Sequence, residues 1–187
     1  MKKLIESFGD IAQLSEEGEK ALMQTIQKKQ FKKKEILLRE GQICDQLYFV
    51  EKGIARTFYY KGSREVTFWL ATENEFVGSL ASFFSRTPST KCVETLEDCT
   101  LWVFDYYKLE ALYSNSKELE RMGRLFTSYG ITILEKKFDD FHSLTALERY
   151  TLLINKHPKI LQTVSLGIIA SYLGISQETL SRIRSQV

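Results

Sequence analysis

Hydrophobic and polar positions divide the chain into three regions of different periodicity. An apolar face at Ala21, Leu22, Thr25 and Ile26 predicts a helix from Leu14 to Lys29. From Glu35 to Asp105, short runs rich in β-branched and aromatic residues alternate with glycine-containing turns, which is typical of β-strands. The runs lie at 36–38, 46–50, 54–60, 65–70, 91–95 and 100–104. Many short strands at regular spacing predict an antiparallel jelly-roll barrel.

Helical periodicity returns after the strands and continues to the end of the chain. A long helix is predicted from about Lys117 to about His142, followed by another that starts near Thr145 and ends at His157. The apolar positions of the long helix step by three and four, at Leu119, Met122, Phe126, Tyr129 and Ile133. We interpret this stripe as a contact with a second copy of the chain, so that the protein is a homodimer. The alternative is that the stripe covers the barrel.

The most specific pattern lies at the carboxyl-terminal corner. Leu166, Ile169, Ala170 and Leu173 form one face of a helix, and Gly174 suits the positive φ of a tight turn. A second helix then runs from Gln177 to Arg184, with Ser176 as its N-cap. Together these features predict a DNA-binding helix-turn-helix, although a plain helical hairpin in another fold would have similar spacing.

Residue types on the outer face of that second helix match the chemistry of DNA. Arg182 can bridge O6 and N7 of guanine, Glu178 can accept from a cytosine amino group, and Gln177 can pair with adenine. Hydroxyl groups near the helix N-terminus suit phosphate contacts. The predicted DNA-binding residues are Ser176, Gln177, Glu178, Thr179, Ser181 and Arg182.

The composition of the chain agrees with this assignment and argues against several other classes of protein. The chain has 187 residues, 43% hydrophobic and 27% charged, with a net charge of +2, so a core-forming domain and a small second domain are expected. Its three cysteines have no CxxC spacing, which disfavours a disulfide framework and is too few for an iron–sulfur centre. Residues 1–10 do not resemble a signal peptide and no run suits a membrane span, so a cytoplasmic protein is expected.

Motifs of catalysis are missing from the sequence. A metal-dependent enzyme on a cupin-like barrel needs histidine ligands inside the barrel, but the two histidines, His142 and His157, both follow the strands. There is no P-loop, nucleophile elbow or Ser-His-Asp order. The sequence therefore predicts neither enzymatic activity nor a metal or other certain cofactor.

The order of barrel, long helix and helix-turn-helix resembles the Crp/Fnr family of bacterial transcription regulators. The likeness rests on Gly41, on residues 47–56 and 74–78, and on residues 169–174 and 176–183. It implies an α+β fold with a cyclic-nucleotide-binding-like effector domain at 1–115, a dimerisation helix at 116–142 and a helix-turn-helix domain at 143–187. It also implies a homodimer that reads a near-palindromic operator in double-stranded DNA, with RNA polymerase as a further candidate partner and no membrane partner.

Two departures from the family bear on function. Where relatives that bind cyclic AMP have a glutamate, an arginine and a hydroxyl residue, this chain has Ser79, Ser89 and Thr90. The pocket, formed by Gly78, Ser79, Leu80, Ser89 and Thr90, is therefore degenerate and is not expected to bind cyclic AMP in the usual way. The sequence leaves open that an unidentified small molecule acts as the effector. Arg86 or Lys91 could replace the missing arginine only if the loop is rearranged.

The second departure is that no β-hairpin wing follows the last helix before Val187. Either this subgroup lacks the wing or the chain is truncated, and in both cases contacts from a wing to DNA phosphates are not expected. The alternative function that the sequence leaves open is a small-molecule-sensing module in which the helix-turn-helix serves as a scaffold.

Overall fold

The computed structural model describes Leu4 and residues 13–185 of the chain. The first ten residues, which do not resemble a signal peptide, lie mostly outside this range, and so does the chain end at Val187. The strands are β1 Gln27–Phe31, β2 Ile36–Leu38, β3 Gln46–Lys52, β4 Ala55–Lys61, β5 Arg64–Ala71, β6 Phe76–Val77, β7 Cys92–Thr95 and β8 Cys99–Asp105. The helices are α1 Glu16–Thr25, α2 Leu80–Ser85, α3 Tyr106–Asn115, α4 Lys117–Ser143, α5 Ala146–Lys156, α6 Ile160–Thr163, α7 Leu166–Leu173 and α8 Gln177–Arg184.

The strands form two four-stranded antiparallel sheets. The first has the order β1-β8-β3-β6 and the second the order β2-β7-β4-β5. The predicted jelly-roll-like arrangement is therefore confirmed, but the prediction of a closed barrel is wrong. Within the described residues each sheet ends in two edge strands, and no ladder of strand hydrogen bonds joins one sheet to the other.

The first helix is shorter than the hydrophobic pattern predicted. Ser15 caps α1 by accepting from the Gly18 backbone N–H, and the helix ends at Thr25 rather than at Lys29. Residues 27–31 instead form β1, which pairs with β8 from Gln27 opposite Val103 to Phe31 opposite Cys99. The pairing with β8 outweighs the local helical preference of these residues, because it satisfies backbone N–H and C=O groups of both strands.

Two hydrophobic clusters hold the molecule together. The first lies between the sheets and joins them to α1, α3 and the first half of α4. The second combines residues of α5 to α8 with Ile54, Leu70 and Leu96 from the sheet region. The carboxyl-terminal helices are therefore packed against the sheet region through a shared core.

The long helix α4 presents its predicted stripe to its own chain. Leu119 and Met122 are only 1% and 2% exposed, and the Phe126 ring lies 4.6 Å from the Phe76 ring of β6. The predicted dimer contact has to be revised at these three positions, because they pack against the sheets and neighbouring helices of the same chain. Tyr129 and Ile133, further along the stripe, are 50% and 37% exposed.

Another apolar row of α4 does reach the surface. Ile131 and Phe138 are 61% and 64% exposed, and Phe141 near the helix end is 48% exposed. Ile131 and Phe138 are seven residues apart, so they lie on one side of the helix. This row, which we call the exposed row, is defined by Ile131, Phe138 and Phe141.

Candidate nucleic-acid interface and effector pocket

A tight turn joins α7 to α8 at the carboxyl-terminal corner. Gly174 ends α7 with φ of +71°, and the Ile175 N–H donates to the Ala170 carbonyl at 3.0 Å. Ser176 then caps α8 by accepting from the Thr179 N–H at 3.1 Å. A Cβ atom at position 174 would lie 2.7 Å from the Phe141 ring, so the end of α4 packs directly on this turn. The glycine and the cap have the roles that the sequence predicted for them.

Apolar side chains pack between the inner faces of α7 and α8. Ile169, Ala170 and Leu173 of α7 and Leu180 of α8 are at most 2% exposed, and Ile183 is 7% exposed. Because these residues occupy the inner faces of both helices, the remaining side of α8 is directed outward. The orientation of α8 is thus fixed by the core beneath it.

The predicted DNA-binding residues lie largely on this outward side. Gln177, Glu178, Ser181 and Arg182 are exposed, as is the cap residue Ser176. Thr179 is half-buried, and its hydroxyl lies 3.1 Å from the Ser176 hydroxyl. The structure therefore brings the predicted residues together along one helix, with Thr179 turned toward the cap.

Two of these side chains make contacts that the sequence did not predict. The Ser176 side chain hydrogen-bonds the Glu178 carboxylate, and this bond, assisted by the nearby Arg182 charge, lowers the pKa of Glu178. The Gln177 amide lies over the first turn of α7, where a Cβ atom at Gly167 would be 2.5 Å from Gln177 Nε2. Gly167 therefore gives the Gln177 side chain room to lie against α7.

The helix α7 docks on β5, an edge strand of the second sheet. The Thr67 N–H donates to Ser171 Oγ at 2.9 Å, and Ser171 Oγ donates to the Glu65 carbonyl at 3.4 Å. One hydroxyl thus forms hydrogen bonds with two backbone groups of β5, on the side of this edge strand that has no partner strand. Nothing in the hydrophobic pattern indicated this contact.

A buried arginine lies beneath the docking strand. Arg56 is 4% exposed and donates from Nε to Glu94 at 2.6 Å and from Nη1 to the Thr67 hydroxyl at 3.2 Å. It also forms an ion pair with Glu65. Since Thr67 and Glu65 are the residues that hold Ser171, Arg56 supports the segment of β5 on which α7 docks.

Lys137 joins α4 to both partners of this docking contact. Its Nζ donates to the Phe68 carbonyl at 2.9 Å and lies 4.4 Å from the Trp69 ring and 4.0 Å from the Tyr172 ring. Burial lowers the pKa of Lys137 from 10.5 to about 7, against an opposing effect of the Glu75 carboxylate. Lys137 is therefore a titratable group at the junction of β5, α4 and α7.

His157 lies at the same interface. Its Nδ1 is 2.9 Å from the Thr72 hydroxyl, and Lys156 forms an ion pair with Glu75. Burial lowers the pKa of His157, while the charge of Glu75 raises it. The other histidine, His142, is exposed and lies beside Phe138 with ring centroids 4.1 Å apart.

The depressed pKa of Lys137 predicts a pH-dependent stability. Between pH 7 and pH 10.5 the unfolded chain binds a proton at this residue that the folded chain lacks. The free energy of unfolding therefore rises with pH across this window, by up to about 1.4 kcal/mol per pH unit. Urea unfolding between pH 7 and pH 9 measures the slope, which Lys137→Met should reduce. Lys136→Met, at an exposed neighbouring position, is the control; equal slopes for both variants would contradict the assignment.

Two serines of the predicted effector pocket are buried and hydrogen-bond to each other. Ser79 and Ser89 are each 3% exposed, and their hydroxyl oxygens lie 2.9 Å apart. The Gly78 carbonyl accepts from the Thr57 hydroxyl at 3.1 Å. Leu80 is half-buried at the start of α2, and Thr90 is exposed. The two serines at the positions of the family's glutamate and arginine thus bond to each other.

The two candidate substitute cations are engaged elsewhere. Arg86 donates to the Cys44 carbonyl at 2.9 Å, forms an ion pair with Asp45 and stacks on Tyr106 at 3.8 Å. Lys91 lies over the Phe68 ring at 4.3 Å, and burial lowers its pKa. Neither residue is held as a free cation for a cyclic phosphate.

The remaining expectations concern cysteines, metals and membranes. Cys44, Cys92 and Cys99 are buried and unpaired. Within residue 4 and residues 13–185, no group of three or more His, Cys, Asp or Glu side chains could hold a metal ion. No helix in that part of the chain has both the length and the apolar character needed to cross a membrane.

Comparisons with known proteins agree with this architecture. Residues 28–116 match the family model of the cyclic nucleotide-binding domain. Solved structures similar to this chain include the catabolite activator protein of Thermus thermophilus, with 19% identity, a TM-score of 0.59 and coverage of 96% of this chain and 85% of that one. FixK2 of Bradyrhizobium japonicum has 19% identity and a TM-score of 0.70, with coverage of 86% and 83%.

A protein of Eubacterium rectale assigned to the Crp/Fnr regulators has 16% identity and a TM-score of 0.69, with coverage of 91% of this chain and 82% of that one. No protein of curated function matches this chain in sequence. At these identities the structural likeness establishes the fold. The chain is similar to the cyclic nucleotide-binding domain over residues 28–116, and a long helix and a helical carboxyl-terminal unit follow. Its fold is that of the Crp/Fnr-type transcription regulators, which confirms the resemblance inferred from the sequence.

Proposed function

We propose that this protein is a non-enzymatic, DNA-binding transcription regulator that reads its operator through α8. The observation that carries the proposal is the outward face of this helix. Gln177, Glu178, Ser181 and Arg182 are all exposed there, while Leu180 and Ile183 hold the opposite face in the core. A helix held in this way can enter the major groove with its N-terminal residues at the base edges.

Roles follow from the chemistry of each exposed side chain. Arg182 pairs with a guanine, Glu178 accepts from a cytosine or orients Arg182, and Gln177 pairs with an adenine after leaving Gly167. Ser176 and Ser181 contact phosphates together with the free N–H groups of the first turn. Thr179 contributes mainly through the cap, because its hydroxyl faces Ser176.

The proposed operator is near-palindromic because the proposed protein is a homodimer. Domains at 1–115, 116–142 and 143–187 then act as effector domain, dimerisation helix and DNA-binding unit. We place the dimer contact on the exposed row instead of on the buried Leu119 and Met122. Tyr129 and Ile133 of the predicted stripe lie on the opposite side of α4 from Ile131 and Phe138. Pairing along the exposed row would leave the packing of α4 on its own effector domain unchanged.

The effector domain is proposed to act without cyclic AMP bound in the usual mode. Ser79 and Ser89 bond to each other, and Arg86 is paired with Asp45, so a cyclic phosphate at Gly78, Leu80 and Thr90 would have no cation. An unpaired buried phosphate is strongly disfavoured. Control of DNA binding would instead pass through the contact of α7 with β5 and the packing of α4.

Selection of genomic DNA fragments by the purified protein tests this proposal. We expect enrichment of a twofold-symmetric motif, because two copies of α8 would read equivalent half-sites. A protein whose carboxyl-terminal helices are only a scaffold would enrich no motif, and that result would favour the sensing-module alternative. A matched selection with Arg182→Ala shows whether enrichment depends on the outward face of α8.

A further inference from the structure

An apolar cavity of about 220 Å³ lies between the first sheet, α2, α3 and α4. The side chains that wall its interior include Leu47, Phe83, Phe104 and Leu109, each at most 6% exposed. Its lining contains none of the five residues predicted for the effector pocket. The cavity is therefore a separate place in the effector domain.

Several aromatic residues that line this cavity are packed against each other. The Phe76 ring lies 4.6 Å from the Phe126 ring of α4 and 5.3 Å from the Phe104 ring of β8. The Phe83 ring of α2 lies 5.3 Å from the Tyr106 ring of α3. Because these rings are already packed in edge-to-face or tilted pairs, they form fixed walls with a defined shape.

The rim of the cavity disfavours anions. Glu110, Glu120 and Arg124 line it and are exposed, so two carboxylates stand beside one guanidinium. Tyr113 adds a hydroxyl to the wall, and burial raises its pKa to about 12. The phenol therefore stays neutral and can donate one hydrogen bond or accept one.

We propose that this cavity binds a compact, neutral aromatic molecule of one or two fused rings. A cavity of about 150 Å³ lined by aliphatic and aromatic side chains is enough to hold benzene, so the larger space here admits a somewhat larger ring system. A cyclic nucleotide does not fit this chemistry, because its phosphate would meet the carboxylates of the rim.

The position of the cavity suggests how an occupant would act on the rest of the chain. Met122, Phe126 and Thr127 of α4 form one side, and Phe83 of α2 forms another. The far end of α4 contacts Gly174 through Phe141. An occupant would therefore fix α4 against the effector domain and change the affinity of α8 for DNA. The proposal thus has a binding half, which is the occupation of the cavity, and a regulatory half, which is the change in affinity for DNA. Only the regulatory half rests on the proposed function.

Calorimetric titration of the full chain with indole tests the binding half, with indole-3-carboxylate as the anionic counterpart. We expect saturable binding of indole and about ten-fold weaker binding of the carboxylate. Thr127→Phe fills the cavity and should weaken indole binding by about ten-fold or more. Ser128→Phe adds the same ring at the next, exposed position and should leave the affinity unchanged.

If Thr127→Phe does not fold, Phe84→Ala replaces it, because Phe84 lines the cavity but is 50% exposed. We expect this variant also to weaken indole binding. Absence of saturable binding, equal effects of Thr127→Phe and Ser128→Phe, or displacement of indole by cyclic AMP would overturn the site. Saturable binding that leaves the affinity for the selected DNA unchanged would overturn the regulatory half, and failure of the protein to select any DNA would count against the proposed function alone.

Discussion

Replacing Arg182 by alanine is expected to weaken binding to the selected operator by about 1–3 kcal/mol per half-site and to relax the base preference at one position. The guanidinium is exposed on the outward face of α8 and contributes to the low pKa of Glu178 beside it. Alanine removes a planar donor that can bind two guanine acceptors at once. Fluorescence anisotropy on operator variants with one base changed at a time measures both effects.

Arg184→Ala is the matched control for this experiment. Arg184 is also exposed and lies on the same helix, but two residues further along it points to a different side. We expect its loss to weaken binding nearly equally for all operator variants, as expected for a phosphate contact. If Arg182→Ala left the base preference intact, Arg182 would not take part in base recognition.

Replacing Arg56 by alanine is expected to lower the free energy of unfolding by about 3–5 kcal/mol, the largest stability effect that the structure suggests. The side chain of Glu94 is only 14% exposed, so the variant leaves a carboxylate in a site with little access to water. The Thr67 hydroxyl also loses its donor. Urea unfolding gives the magnitude.

Lys61→Ala provides the control, because Lys61 lies on the same strand β4 and is exposed. We expect a change there within about 0.5 kcal/mol. A loss for Arg56→Ala as small as that for Lys61→Ala would mean that the ion pairs of Arg56 contribute little to the fold. We also expect Arg56→Ala to loosen the packing of α7 on β5. Arg56 binds the side chains of Thr67 and Glu65, and backbone groups of these two residues hydrogen-bond Ser171 of α7.

Local signals in the sequence were sufficient for most of the strands and for the carboxyl-terminal helices. The run predicted at 46–50 became β3 at Gln46–Lys52, and the long helix ends at Ser143, one residue from its prediction. Gly174 and Ser176 act at the turn as expected, because positive φ and N-capping are properties of single residues and their neighbours.

Features set by contacts between distant residues were not predictable in this way. The stripe from Leu119 to Phe126 is a correct amphipathic pattern, but periodicity alone does not tell whether a helix faces its own domain or another copy. The pattern predicts helix for residues 27–29, because their partner residues in β8 lie more than 70 positions later and leave no local signal. The docking of Ser171 on β5 depends on backbone groups of an edge strand, which leave no mark in the side-chain pattern.

A footprint of the protein on the DNA that it selects tests the central claim most directly. Two copies of α8, held by dimerised α4 helices, should protect two half-sites whose centres lie about 34 Å apart along the duplex, related by a twofold axis. Protection of one half-site only, or of two at a spacing that does not place them on the same side of the duplex, would contradict the account.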